Sequence, residues 1–273
     1  MDFSKYFPDG ILVGSPIKLS DCRILRPYLL GRAGFTDDQI NKGSVMMLAV
    51  PYAVPCRERT VSMYAVAEDY HAYFAALFDA VLPAMRADFP DHIFAGFADH
   101  SPIAEVDAAC KAGLGVQGEN GLLLTDRHSS YVFLGEIVTT LQTDNQAQPI
   151  GHCLSCGACR NACPVHLCKQ ECLSDLTQKK GELDAFETAR LEAHPYVWGC
   201  DVCQDVCPYT IAAKHAGTLY TEISYFKQNL IPAPDLATLQ GMSDKAFARR
   251  AYAWRGRDTI CRNLRVKEEK QQP

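Results

Sequence analysis

The chain has 273 residues, 48% of them hydrophobic and 22% charged, which is enough to bury a substantial core in one large or two smaller domains. No apolar run approaches the ~18 residues of a membrane span, and the start Met1-Asp-Phe-Ser-Lys-Tyr-Phe-Pro8 lacks the basic and apolar regions of a secretory leader. The formal charge of −5 conceals an asymmetry: Ser243–Pro273 carries nine Lys/Arg against four Asp/Glu, a net +5, which leaves −10 for the rest. A basic segment on an acidic body is either a solvated surface or an attractor of phosphates.

In chain order, Gly43–Tyr52 reads as a short buried strand with a proline near its end. Tyr64–Met85 has apolar residues at helical spacing and predicts a long helix, with Pro83 ending or kinking it. Ile93–Ala98 is a second strand. Ser101-Pro102 then opens a helix to about Ala112, with serine as N-cap and proline at the first position. Gly113-Leu-Gly-Val-Gln-Gly118 has the form G-x-G-x-x-G but follows a helix and precedes a strand, the reverse of a dinucleotide-binding context. It predicts a turn where backbone closely approaches something flat or bulky. Strands follow at Leu122–Leu124 and Tyr131–Leu141, a polar linker at Thr143–Gly151, and a helix from Ser243. Alternating strands and helices indicate α/β layers.

Cysteine carries the chemistry. Cys153-Leu-Ser-Cys156-Gly-Ala-Cys159-Arg-Asn-Ala-Cys163-Pro164 has the spacing C-x2-C-x2-C-x3-C-P, the bacterial-ferredoxin pattern for an iron–sulfur cluster. Two-residue spacers bring three thiolates to three corners of one cubane, while the fourth cysteine serves a neighbouring cluster. A shorter run, Cys200-Asp-Val-Cys203-Gln-Asp-Val-Cys207-Pro208, predicts that second cluster. Zinc also uses paired C-x2-C motifs, but gives no reason for a third cysteine at the same spacing or for Cys-Pro closing both runs. Thirteen cysteines without a secretory leader fit a reducing cytoplasm better than a disulfide framework. Crossover assigns Cys153, Cys156, Cys159 and Cys207 to one cluster and Cys163, Cys200 and Cys203 to the other, which needs one more ligand. Cys168 and Cys172 are the candidates, and spacing alone does not choose between them. Cys22, Cys56, Cys110 and Cys261 read as small buried residues.

Taken together, these pieces resemble the epoxyqueuosine reductases, cobalamin-dependent iron–sulfur enzymes of queuosine biosynthesis in tRNA. The resemblance runs from about Asp69 to Val266. It rests on Asp69-Tyr-His71, Ala98-Asp-His-Ser-Pro102, Ala112-Gly-Leu-Gly115, Ser130-Tyr-Val-Phe-Leu-Gly-Glu136 and both cysteine runs. Cys172-Leu-Ser-Asp-Leu-Thr177, Gly199-Cys-Asp-Val-Cys-Gln204, Trp254-Arg-Gly256 and Arg262-Asn263 extend it. The family motif makes Cys172 the missing ligand. Three departures stand out: Glu119 replaces the lysine that usually precedes Asn120, the spacer between Cys163 and Cys172 is short, and the chain ends where members commonly continue into helical repeats that help grip tRNA.

The resemblance implies an α/β (α+β) cobalamin-binding reductase core with an inserted ferredoxin-like domain holding two 4Fe–4S clusters. The expected divisions are 1–150 for the cobalamin and substrate domain, 151–215 for the clusters, and 216–273 for the basic segment. Cobalamin without an axial protein histidine is expected near Ser62, Tyr70, Asp99, Leu123 and Leu134. Asp99 matches the family's proton donor, with Tyr70, His71 and His100 as polar neighbours. An aspartate ordinarily titrates near ~3.9, so holding a proton at neutral pH requires desolvation. The function implied is reduction of epoxyqueuosine in tRNA or a modified nucleoside, fed by an external low-potential electron donor. The alternatives are a dehalogenase-like cobalamin reductase with another small substrate, or a ferredoxin-type electron carrier. In the RNA reading, the basic segment, with Trp254, Arg255 and Arg257, contacts phosphate.

Overall fold

The run Ser44–Pro51 is apolar on both sides of its pleat, and a strand of that kind must be covered on both faces. In the computed structural model, which describes residues 3–271, every residue of this strand is buried, and it sits at the middle of a sheet. The strands are β1 (Leu12–Val13), β2 (Ile17–Lys18), β3 (Ser44–Pro51), β4 (Phe94–Phe97), β5 (Val116–Gln117), β6 (Leu123–Leu124) and β7 (Val132–Thr139). The main sheet has the order β1-β3-β7-β4, with β2 also on β3, and each of these pairs is antiparallel. β5 and β6 make a separate antiparallel pair. The secondary structure therefore mixes α and β, and the ladders run antiparallel where alternation of elements suggested α/β layers.

Helices comprise α1 (Pro27–Arg32), α2 (Asp37–Lys42), α3 (Tyr70–Asp88), α4 (Glu105–Lys111), α5 (Ala158–Ala162), α6 (Leu173–Gln178) and α7 (Ala185–Ala193). They continue with α8 (Val202–Asp205), α9 (Pro208–His215), α10 (Leu236–Gly241), α11 (Asp244–Ala248) and α12 (Arg257–Gln271). The chain forms two compact units that interleave along the sequence. Unit 1 comprises residues 1–51, 70–156 and 212–219; unit 2 comprises 52–69, 157–211 and 220–273.

Unit 1 is a sheet with helices on both faces. On one face, Val45, Met47 and Ala49 of β3 and Val132 and Val138 of β7 join Ala108, Ala109 and Cys110 of α4 in one apolar core. On the other, α3 buries Phe74, Leu77, Val81 and Met85, spaced three and four apart as one helical stripe. Gly135 in β7 has no side chain because the Phe74 ring occupies the place where a Cβ would stand. The long helix starts later than its periodicity suggests and runs through Pro83. Pro83 is on the exposed face, so the carbonyl that loses its helical donor is on the solvent side.

The Ser101-Pro102 helix start is also corrected: α4 begins at Glu105 with Ala104 as N-cap. The Ser101 hydroxyl is engaged elsewhere, on Ile103 and Glu136. The close approach expected at Gly113–Gly118 is internal: a Cβ on Gly115 would overlap the Leu124 carbonyl of the β5–β6 hairpin.

Unit 2 is helical. α6, α7 and α12 close on Leu173, Leu176 and Leu191, with Leu183 and Val266 against them. Buried Asn263 of α12 donates to the carbonyls of Thr177 (2.7 Å) and Val197 (2.8 Å), tying three segments together. Trp198, fully buried, pairs with Val61 and donates from its indole to the Tyr64 hydroxyl at 2.7 Å. Ser243 caps α11 as its sequence predicts.

Candidate functional site

In unit 1 the C-terminal end of β4, the N-terminus of α3 and the start of β7 converge on an open cavity of about 200 Å³. Tyr70, Asp99, Leu123 and Leu134, all singled out in the sequence, line it together with Val132, Phe133 and Glu105. No imidazole is among the lining residues. Tyr70 is fixed by stacking between Phe133 and His71, with centroids 4.2 Å away on each side. Ser62, the fifth residue of that set, belongs to unit 2, where it is buried.

Asp99 occupies a left-handed conformation (φ 62°) in a tight turn closed by the His100 amide on the Ala98 carbonyl at 2.7 Å. Held backbone strain of this kind is common at ligand-binding sites. Its carboxyl faces His71 Nε2 at 3.5 Å, with the Asp99 side chain 64% exposed. His71 therefore holds the carboxyl below the usual carboxylate range, and partial burial offsets this only in part. In this structure His71, and not desolvation, is the larger influence on the Asp99 carboxyl.

Behind it the chemistry reverses. Glu136 is fully buried in β7, pointing to the α4 side of the sheet. One carboxyl oxygen meets the Ser101 hydroxyl at 2.5 Å, and the other has no hydrogen-bond partner. Burial raises its pKa well above the ordinary value, and the neighbouring Glu105 charge adds to the effect. Burial likewise pushes Glu105 up to about 7. The Asp99 amide donates to Glu105 Oε1 at 3.3 Å. Sequence reading passed over both glutamates as participants. The available signal was a lone charge in the apolar strand Val132–Thr139.

The cysteines divide between the units. Cys153 and Cys156 close the second segment of unit 1, the Cys153 amide donating to the Gln117 carbonyl of β5 at 3.0 Å. In unit 2, α5 carries Cys159 and packs on α8, which carries Cys203. Left-handed Gly157 (φ 74°) opens α5, a conformation that suits the missing Cβ. Burial pushes the Cys200 thiol up to about 11, and the nearby Cys172 and Cys163 thiols push in the same direction. Cys168 turns instead to Gln170, 3.5 Å from its Oε1. Among the described residues, no three His, Cys, Asp or Glu side chains are grouped to hold a single metal ion.

Asp201, between Cys200 and Cys203, locks this second run in place. It is fully buried and accepts from Arg59 (2.5 Å), the Ser62 hydroxyl (2.5 Å), the Met63 amide (2.6 Å) and Gln204 (2.8 Å). Arg59 also pairs with Asp205 at 2.7 Å. The Ser62 side chain is thus committed to holding Asp201.

Several cations of the basic segment are engaged by backbone carbonyls within unit 2. Arg250 donates to the carbonyls of Asn229 and Val66, Arg262 to those of Lys179 and Gly181, and Arg257 to that of Leu239. Lys267 reaches the carbonyls of Glu192 and His194 at the C-terminal end of α7, where a helix favours a cation. Trp254 is the exception, 58% exposed with the Arg255 guanidinium 3.9 Å above its ring.

No family model matches the chain. Its sequence is 33% identical over 214 residues to an epoxyqueuosine reductase of Lactococcus garvieae, an alignment covering 72% of this chain and 58% of that protein. The chain is a relative of the epoxyqueuosine reductases. It spans about six tenths of the length of the curated relatives it matches. The epoxyqueuosine reductase of Streptococcus thermophilus shares its fold, with a TM-score of 0.74 at 22% identity over 94% of this chain and 77% of that one. An epoxyqueuosine reductase bound to an epoxyqueuosine-modified tRNA-Tyr stem loop superposes with a TM-score of 0.69 at 24% identity, covering 97% and 78% of the two chains. No helix among the described residues is long and apolar enough to cross a membrane.

Proposed function

We infer that this chain is a reductase acting on epoxyqueuosine in tRNA, with cobalamin and two 4Fe–4S clusters as resident cofactors. The observation that carries the reading is the cavity of unit 1, which gathers Tyr70, Asp99, Leu123 and Leu134. Its wall is apolar at Leu122, Leu123, Val132 and Leu134, with a carboxylate at the rim, a lining suited to one face of a flat, largely apolar macrocycle. At about 200 Å³ it takes part of such a ring rather than the whole. Cobalamin, when bound, supplies a reducing centre for the substrate carbon, and the clusters deliver its electrons one at a time.

The donor chemistry fits the clusters too, because none of the eight expected ligands is tied up in a disulfide. Cys153, Cys156, Cys159 and Cys207 would hold one cluster on their spacing; Cys163, Cys172, Cys200 and Cys203 would hold the other. The proximity of Cys163 and Cys172 to Cys200 supports the second set. The relative bound to a modified tRNA stem loop supports the substrate. Asp99 is the residue at the cavity rim able to deliver a proton to the departing oxygen.

Anaerobic reconstitution tests the reading. The holoprotein should contain about eight irons, show corrin bands, and convert an epoxyqueuosine stem loop to queuosine with a low-potential donor. Clusters without corrin, or no turnover of that RNA, would overturn it. Asp99→Asn should lower turnover by ~10²–10⁴-fold with iron and corrin content unchanged.

A further inference from the structure

The substrate inferred above is a nucleoside within RNA, so the cavity at Asp99 needs a neighbouring surface for the rest of the polymer. Residues 22–36 have the composition for it. They include Arg23, Arg26 and Arg32 and no Asp or Glu, on a body that carries a net −10 outside Ser243–Pro273. The stretch precedes Asp69 and lies outside the family motifs. Its run Arg23-Ile-Leu-Arg-Pro-Tyr-Leu-Leu-Gly-Arg32 interleaves arginines with apolar and aromatic side chains, which suits phosphates alternating with bases.

Unit 1 fastens this stretch to the loop that bears Asp99. The Leu25 and Arg26 amides both donate to the Pro102 carbonyl, at 2.8 and 3.0 Å, and the Ala104 amide donates to the Arg23 carbonyl at 3.0 Å. Arg26 donates from its guanidinium to the Ser101 carbonyl at 2.8 Å, so its charge is engaged by the loop. Tyr28 and His100, the residue after Asp99, share a hydrogen bond at 3.1 Å between Oη and Nε2. Leu30 and Phe35 are buried in the core of unit 1 and anchor α1 from its inner side. On the outer side Tyr28 is 50% exposed and Leu25 47%. The Arg32 guanidinium stands 5.3 Å from the centroid of the Tyr28 ring. Arg23 and Arg32 are both exposed, and neither has an ion-pair partner among the described residues.

We propose that Tyr28, Arg32 and Arg23 form the face that holds the substrate RNA beside the cavity, with the Tyr28 ring stacked on a base flanking the modified nucleoside and the two arginines on its phosphates. A half-exposed aromatic ring with a guanidinium beside it offers a base a π surface and a cation together. The two unpaired guanidiniums match phosphate oxygens, which a planar fork bonds two at a time. The bond from Tyr28 to His100 attaches the stacking ring to the same loop that supplies the rim carboxyl, so the base and the reacting nucleoside are held by one piece of structure. These three side chains bind the polymer and touch no reacting atom. The proposal rests on the reductase reading for the identity of the RNA and deepens it by assigning the surface that distinguishes RNA from a free nucleoside.

Fluorescence anisotropy of a labelled epoxyqueuosine stem loop with the reconstituted holoprotein tests the face without turnover. Tyr28→Ala should weaken binding roughly 10-fold, while Tyr28→Phe, which keeps the ring, should stay within about 3-fold of the wild type. Arg32→Ala should weaken binding and lower the slope of log affinity against log salt by about 0.7–0.9, the share of one phosphate contact. Wild-type affinity in both Tyr28→Ala and Arg32→Ala would overturn the proposal. A loss in Arg32→Ala with none in Tyr28→Ala would assign the face to an acidic partner instead of a base, and would sink it equally. Turnover separates this face from the functional reading. A wild-type protein that binds the RNA through these residues but leaves epoxyqueuosine intact removes the reductase reading and keeps the face. Reduction of the stem loop by Tyr28→Ala and Arg32→Ala at the wild-type KM removes the face and keeps the reading.

Discussion

Glu136 in unit 1 and Asp201 in unit 2 are both fully buried carboxyls, and burial raises the pKa of each, yet their surroundings oppose it to different degrees. Asp201 has four donors, one a guanidinium, so both of its oxygens act as acceptors and these partners work against burial. Glu136 has one hydroxyl neighbour that also faces a carbonyl, and its other oxygen has no partner, so little offsets burial. Burial acts on both; the count of available hydrogens sets how far it is offset. The well-partnered one braces a cysteine run, and the other lies behind a cavity.

The largest expected effect sharpens that contrast. Asp201→Ala removes one of the two carboxylates on Arg59 and leaves the Ser62 and Met63 donors facing a buried gap, and should cost about 3–5 kcal/mol in chemical denaturation, whereas Glu136→Gln, which keeps a donor toward Ser101, should cost less than about 1 kcal/mol. Equal losses would erase the distinction. Next comes packing in unit 1. Gly135→Ala places a methyl against the buried Phe74 ring and should cost about 1–3 kcal/mol, measured by thermal or urea unfolding.

The pH dependence follows from the raised carboxyls, Glu105 and Glu136 in unit 1, with Asp201 in unit 2 raised in the same direction. A glutamate whose folded pKa exceeds its unfolded value near 4.5 binds its proton more tightly when folded. It therefore stabilises fully below that value and loses the contribution as pH rises through the folded pKa. For Glu105 that window ends at about 7, and for Glu136 it extends higher. Stability should fall as pH rises from about 4.5 through 7, with a slope of at most ~1.4 kcal/mol per pH unit for each proton. Glu136→Gln should flatten the slope; an unchanged slope would place the titration elsewhere. The smallest effect belongs to the basic segment: Lys267→Met removes a cation from the C-terminal end of α7 and should cost about 0.3–1 kcal/mol, with little change in the salt dependence of RNA binding.

The sequence by itself set the expectation for the cysteines, because spacers of two and three residues can be counted along one run. It also marked the central strand, whose uninterrupted apolar residues require cover on both faces, and the cap of α11 at Ser243. The family resemblance pointed to Tyr70, Asp99, Leu123 and Leu134, and these converge on one cavity. Only the tertiary structure decided partnership. The Asp99 carboxyl is pulled down because His71 faces it; the Glu136 carboxyl is pushed up because it is buried against a single hydroxyl; and arginines of the basic segment are engaged by carbonyls 21 to 184 residues distant. Those facts depend on which groups fold against one another. A charge's state is set by its neighbours in space, and the order of residues along the chain does not contain them.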